Sequence, residues 1–160
     1  MRERRARQER ARAREFEAFV AGAGGRLLHA ATLLTAEPPG AAPGAQRLLV
    51  GALAHTCADW TRLRGEDPYD HTRQELAARF AHTAWRYRRS RGGLLGILSP
   101  QERLVLVLRL YEGVAEEQTA AGLGLPVERV RALCSRAMAA MLSRGAAPLP
   151  SALREAEGAL

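Results

Sequence analysis

The stretch from Ala115 to Met141, AEEQTAAGLGLPVERVRALCSRAMAAM, constrains the fold more than any other part of this chain. Ala120 is small enough to let two helices cross closely, and Gly124 supplies the backbone freedom of a tight turn. Val127, Val130 and Leu133 then recur on one side of a following helix, so the pattern predicts helix, tight turn, helix. The outer side of that second helix carries Glu128, Arg129, Arg131, Ser135 and Arg136. Such side chains reach phosphates and base edges when a helix lies in a major groove. A plain antiparallel helical hairpin shares the Ala and Gly positions but has no need of an Arg-rich face.

The sequence around this motif is also helical in pattern. Ser99-Pro100-Gln101-Glu102 combines an N-cap serine, a first-position proline and a third-position glutamate, and so predicts a helix start. Leu104, Val105, Leu108 and Tyr111 follow on one face, and Gly113 ends the run. In the first half, Phe16, Phe19, Val20, Leu27, Leu28, Ala31 and Leu34 recur at three-to-four spacing, interrupted by Gly22, Gly24 and Gly25. Glu37 to Gly44 reads as a loop on proline and glycine grounds. Leu49, Leu53, Thr56, Cys57 and Trp60 form a second stripe, and Gly65 to Pro68 makes a turn that opens a third helix. That third helix carries Leu76, Phe80, Thr83 and Tyr87 on one face and Arg73, Arg79, His82, Arg86 and Arg89 on the other. With 47% hydrophobic but only 5% aromatic residues, the core is expected to consist of Leu and Ala on helices. The expected fold is all-α: a basic N-terminal extension over 1–14, one small helical domain over 15–91, a short linker over 92–97, a second helical domain over 98–145 and a mobile tail over 146–160.

All 24 basic residues are Arg, and the formal net charge is +7. Residues 1–14 hold a net +5 and residues 62–91 a net +4, whereas 101–145 carry only +1. This favours an anionic partner, nucleic acid before membrane surface. The arm over 1–14 reads as a solvated helix extending the first helix backward. Cys57 and Cys134 lie far apart without a CxxC or zinc-type spacing, so neither a disulfide nor a metal site is expected, and both are read as buried thiols. His29, His55, His71 and His82 read as scattered, with no carboxylate or nucleophile at a dyad spacing. The glycines of Ala21 to Gly25 follow no strand and so form no phosphate loop. Neither an enzyme nor a cofactor is expected. Lacking an apolar run of bilayer length or an apolar signal core, the chain is expected to be cytoplasmic and without a membrane partner.

The string from Leu98 to Met141 resembles region 4 of the extracytoplasmic-function sigma factors, promoter-specificity subunits of bacterial RNA polymerase. Pro100, Glu102, Arg103, Leu106, Leu108, Tyr111, Glu112, Glu117, Ala120, Leu123, Gly124, Val130, Ser135, Arg136 and Ala137 carry the likeness. Glu15 to Thr35 and Trp60 to Arg89 are similar to parts of region 2 of the same family. The resemblance implies that the helix from Val127 to Ala140 lies on the minus-35 promoter element, with Glu128, Arg129, Arg131, Ser135 and Arg136 at the DNA. It also implies that Arg62, Arg64, Arg73, Arg79, Trp85, Arg86, Arg88 and Arg89 face the melted minus-10 element. Aromatics among guanidiniums suit unpaired bases, each stack contributing about 1–3 kcal/mol. Trp85 is open to two readings, base stacking or core packing. The implied partners are promoter DNA, the RNA polymerase core, contacted through Gln46, Arg47, Val50 and Leu53, and an anti-sigma factor. Three departures stand out. Arg47 lies where the family places an acid, Ala78 replaces a usual Asn, and only Gly92 to Ile97 joins the halves, a reach of at most about 20 Å. Two other functions fit the residues: a stand-alone helix-turn-helix regulator, or a decoy that binds an anti-sigma factor without supporting transcription.

Overall fold

A computed structural model describes residues 1–145, and the tail expected over 146–160 lies outside the described residues. The first helix, α1 (Arg2–Thr35), runs unbroken through Gly22, Gly24 and Gly25. Each glycine costs about 1 kcal/mol relative to Ala in a helix, but the two turns that follow are anchored by buried Leu27, Ala30, Ala31 and Leu34. The glycines therefore interrupt the apolar stripe without breaking the helix, which runs through it as the spacing predicts. The basic arm continues the same helix backward into solvent. It is steadied where Phe16 and Phe19 meet Trp60, with ring centroids 5.3 and 5.6 Å from the indole.

At its other end α1 stops on Ala36, which adopts left-handed φ 52°. The carbonyl of Ala36 accepts from the amides of Arg91 (3.3 Å) and Gly93 (2.8 Å). Helix α2 (Pro43–Asp59) has no local side-chain cap. Its orphan amides are met from a distance: Gly44 and Ala45 donate to the Glu37 carboxylate at 3.1 and 2.8 Å. Burial pushes the Glu37 pKa up. Hydrogen bonds from the Thr35 hydroxyl and these two amides, together with the Arg91 charge, outweigh that and hold it below the ordinary carboxylate value.

Helix α3 (Pro68–His82) starts as expected, with Pro68 in its first turn and the Asp67 side chain accepting from the Tyr69 amide at 2.9 Å. It ends earlier than the apolar stripe suggests. Thr83 leaves the helical region at φ −110°, its hydroxyl donates to the Arg79 carbonyl at 2.8 Å, and a tighter 3-10 turn follows over Ala84–Tyr87. The kink turns Tyr87 into the core beside Phe80, ring centroids 5.6 Å apart. Arg88 and Arg89 therefore lie beyond α3, while Arg86 still lines a groove together with Arg79 and His82.

In the second half, α4 (Pro100–Leu106) opens on a complete capping box. It runs on into a π-helical turn, Val107–Tyr111, and the chain reverses at Gly113, φ 67°. Helices α5 (Glu116–Leu123) and α6 (Val127–Gly145) complete six α-helices and no strand among the described residues. The fold is all-α, as expected.

One cluster of buried side chains draws on both halves. Ala31, Leu34, Leu48, Leu76 and Phe80 meet Leu95, Leu98, Leu104, Leu108 and Ala137 in it. The segment read as a linker thus contributes Leu95 and leads into Leu98, each no more than 5% exposed. Three sets of polar ties cross between the halves. Arg103, fully buried, donates from Nε to the Leu98 carbonyl (3.0 Å) and from one terminal nitrogen to the carbonyls of Leu34 (3.2 Å) and Tyr87 (2.7 Å). The Tyr69 hydroxyl donates to the buried Glu112 carboxylate at 2.8 Å, and Arg26 of α1 donates to the Tyr111 carbonyl at 3.2 Å. Burial, then the hydrogen bond and charge of Glu112, push the Tyr69 pKa well above that of an ordinary tyrosine.

Candidate nucleic-acid interface

Helix α5 closes in a Schellman motif. Gly124 takes φ 64°, the Leu125 amide donates to the Ala120 carbonyl (3.0 Å), and the Gly124 amide donates to Ala121 (3.4 Å). A side chain with a Cβ is disfavoured at this φ, which is why the turn needs glycine. Ala120, Val130, Leu133 and Val105 are buried together. That small core fixes α6 against α5 and leaves the opposite side of α6 in solvent, where Glu128, Arg129, Arg131, Ser135 and Arg136 all lie exposed.

Not all of this face is equally available to a phosphate. Arg131 donates to Glu116 of α5 at 2.6 Å, and Arg136 stands 3.9 Å from Glu102 of α4. Both pairs are solvent-exposed on the arginine side, where ion pairs contribute about 1 kcal/mol or less and give way readily to a stronger anion.

Residues 94–141 match the family model for sigma-70, region 4. A region 4 domain of the helix-turn-helix type is therefore present, and the matched residues span α4, α5 and most of α6. Such a domain is a DNA-binding element of transcription that interacts with RNA polymerase, and it is not an enzymatic family. Comparison with curated proteins and with solved structures returned no match.

The first-half candidates fall into separate groups. Arg62 and Arg64 lie exposed in the turns between α2 and α3. Arg73, half-buried and 3.0 Å from Asp70, lines a cleft between α3 and α5 that also takes in Ala78. Arg79 and Arg86 share a groove with Arg47, read above as a polymerase contact, and with Glu75, which accepts from Arg79, so the surface is basic on balance. Trp85 is 62% exposed, with the Arg86 guanidinium 5.1 Å from its ring, which excludes the core-packing reading. Arg88 and Arg89 are exposed beyond it, and Gln46 and Val50 are exposed on α2 while Leu53 is half-buried.

Several groups escape a reading from spacing. Arg103 matches the family string, but its burial depends on carbonyls from three separate segments. The histidines are not all scattered: His55 and Asp59 sit one turn apart on α2, His71 and Glu75 one turn apart on α3, and the four meet. The i, i+4 spacing was the available signal. Cys57, expected to be buried, is exposed, because the α2 stripe that buries Thr56 turns the next position outward. No helix among the described residues is long and apolar enough to cross a membrane.

Proposed function

We propose that this chain is a sigma factor of the extracytoplasmic-function type, bringing RNA polymerase to specific promoters in the cytoplasm. On this reading residues 98–145 act on the minus-35 element and residues 15–91 on the minus-10 element, with 92–97 between them. The observation that carries it is the exposed face of α6 within the region 4 match, Glu128, Arg129, Arg131, Ser135 and Arg136. A helix held by one apolar side over a tight turn presents such a face to a major groove, where Arg and Ser read base edges and phosphates. The basic surface of Arg47, Arg79 and Arg86, with exposed Trp85 beside it, supports contact with unpaired bases.

In vitro transcription with reconstituted core polymerase over genomic fragments tests the proposal. Promoter-specific transcripts that appear only with this chain support it. Retention on immobilised core enzyme should weaken when Val50 and Leu53 are changed to Asp. No association with core polymerase overturns it.

A second reading is favoured by the common core and by Arg47. Halves that share buried side chains make a ready-made duplex-binding unit, and Arg47 adds positive charge to the surface expected to meet polymerase. A stand-alone helix-turn-helix regulator would bind duplex DNA with affinity falling steeply with salt, yet give no transcript with core enzyme.

A further inference from the structure

The α2–α3 pair carries a group of donors with no part in the reading above. His55 and Asp59 lie on the last turns of α2, and His71 and Glu75 on the first turns of α3. Beneath them the hydroxyls of Thr56 and Thr72 share a buried hydrogen bond of 2.8 Å, which fixes the helices in register. Asp59 Oδ2 lies 3.3 Å from His55 Nε2 and 3.4 Å from His71 Nε2. Glu75 Oε2 is 3.7 Å from His55 Nε2, and the two imidazoles stack with ring planes 9° apart. His71 Nε2 is buried yet has no hydrogen-bond partner among the described residues.

We propose that His55, Asp59 and His71, with Glu75 as fourth donor, bind one divalent transition-metal ion of the zinc class. Zinc bonds to imidazole nitrogen and carboxylate oxygen are about 2.0–2.2 Å, so neighbouring ligands of a tetrahedral ion stand about 3.3–3.5 Å apart. Two of the donor separations already have that value, and the three principal ligand atoms all lie within 4.8 Å of one another. Small side-chain rotations close the remainder. An ion at the centre would also give His71 Nε2 the partner it lacks.

The donor set selects the metal. Two imidazoles with carboxylates suit zinc and its neighbours, whereas magnesium and calcium demand oxygen. Glu75 is already oriented on its far oxygen, where Arg79 donates to Oε1 at 2.9 Å, and the exposed Arg62 stands 3.8 Å from Asp59 Oδ1 without a hydrogen bond. Oδ2 and Oε2 are left facing the imidazoles, and for Glu75 the bond from Arg79 is the kind of outer-shell contact that holds a metal ligand in place. The ion would clamp α2 to α3 across the turn between them. The metal ligands themselves take no part in the promoter reading, although Arg62 and Arg79, which contact Asp59 and Glu75, are among the arginines named there.

Titration calorimetry of the metal-free full chain with zinc chloride tests the site, with cobalt chloride as optical probe and magnesium chloride as control. One equivalent of zinc should bind, cobalt should give the intense visible absorption of a tetrahedral ion, and magnesium should give no saturable heat. The thermal midpoint should rise by about 5–10 °C at a zinc excess of about 100-fold over Kd. His71→Ala and Asp59→Asn should each weaken binding by more than about 10-fold, and His82→Ala should leave it unchanged. Should a variant lose its far-UV circular dichroism without metal, His55→Gln on the exposed rim replaces it. Absence of saturable zinc binding up to about 1 mM, or affinity unchanged in His71→Ala and Asp59→Asn, overturns the proposal.

Discussion

Replacing Arg103 by Met tests whether the buried guanidinium holds the two halves together. The side chain is fully buried and has no carboxylate partner among the described residues; its charge is met by the carbonyls of Leu98, Leu34 and Tyr87, with Nη2 left unpaired among those residues. Burial lowers its pKa, the sign that the folded state penalises the charge. Methionine fills much of the same volume but leaves those carbonyls without a donor. A hydrogen bond to a charged group contributes about 1.5–3 kcal/mol, and an unsatisfied buried acceptor costs about 1–3 kcal/mol. Removing a desolvated charge offsets part of this, so the expected loss is about 2–4 kcal/mol, a large share of a typical total stability of about 5–15 kcal/mol. With a urea slope of about 2 kcal/mol/M, the unfolding midpoint should fall by about 1–2 M. The assay is urea unfolding followed by far-UV circular dichroism, with Arg129→Met on the exposed α6 face as control, expected within about 0.5 kcal/mol of the parent. Arg103→Lys should not rescue, since one compact ammonium cannot span carbonyls on different sides. A midpoint for Arg103→Met within about 0.3 M of the parent would refute the reasoning.

Gly93→Ala should destabilise by about 1–3 kcal/mol in the same assay, because the added methyl group would meet the Glu37 carbonyl oxygen at 2.7 Å and the Ala36 carbonyl beside it; equal stability would show that the segment can move away. Glu37, with a folded pKa below its unfolded value, contributes stability that is present above pH ~4.5 and lost as pH falls through the folded value. Acid unfolding of Glu37→Gln should therefore show a flatter stability profile in that range, and an unchanged slope would count against the capping role. Arg129→Ala should lower duplex affinity and, if the side chain meets a phosphate, reduce the slope of log K against log salt by about 1; an unchanged slope and affinity would remove it from the interface.

The parts of this fold that could be read from sequence are those governed by neighbours along the chain. The capping box at Ser99 and Glu102, Pro68 at the start of α3 and Gly124 in the turn all act within one helical turn, and each appears where local rules put it. Features set by distant segments were not legible. The early end of α3 depends on Tyr87 finding a place against Phe80 and on Arg103 accepting a role beneath the Tyr87 carbonyl. The grouping of Arg47 with Arg79 and Arg86 depends on how α2 lies against α3, which periodicity alone does not give. On α6 the division between buried Val130, Leu133 and Ala137 and the exposed arginines follows from a 3.6-residue repeat. That the first two arginine partners, Glu116 and Glu102, come from other helices does not.

The core shared by the two halves turns their separation into an equilibrium that partners can act on. A ligand that grips the halves apart must favour the open form over the closed one, and to move a population from 1:99 to 99:1 it needs about 10⁴-fold preference, about 5.5 kcal/mol. A ligand indifferent to their spacing moves nothing, however tightly it binds. The buried guanidinium sits on both sides of this balance: opening restores its hydration while giving up two carbonyls from the first half. The apparent affinity of any partner that needs the open form is thus divided by the rarity of that form, and the chain carries in its own packing a threshold that a partner must exceed before the two halves can act at separate places.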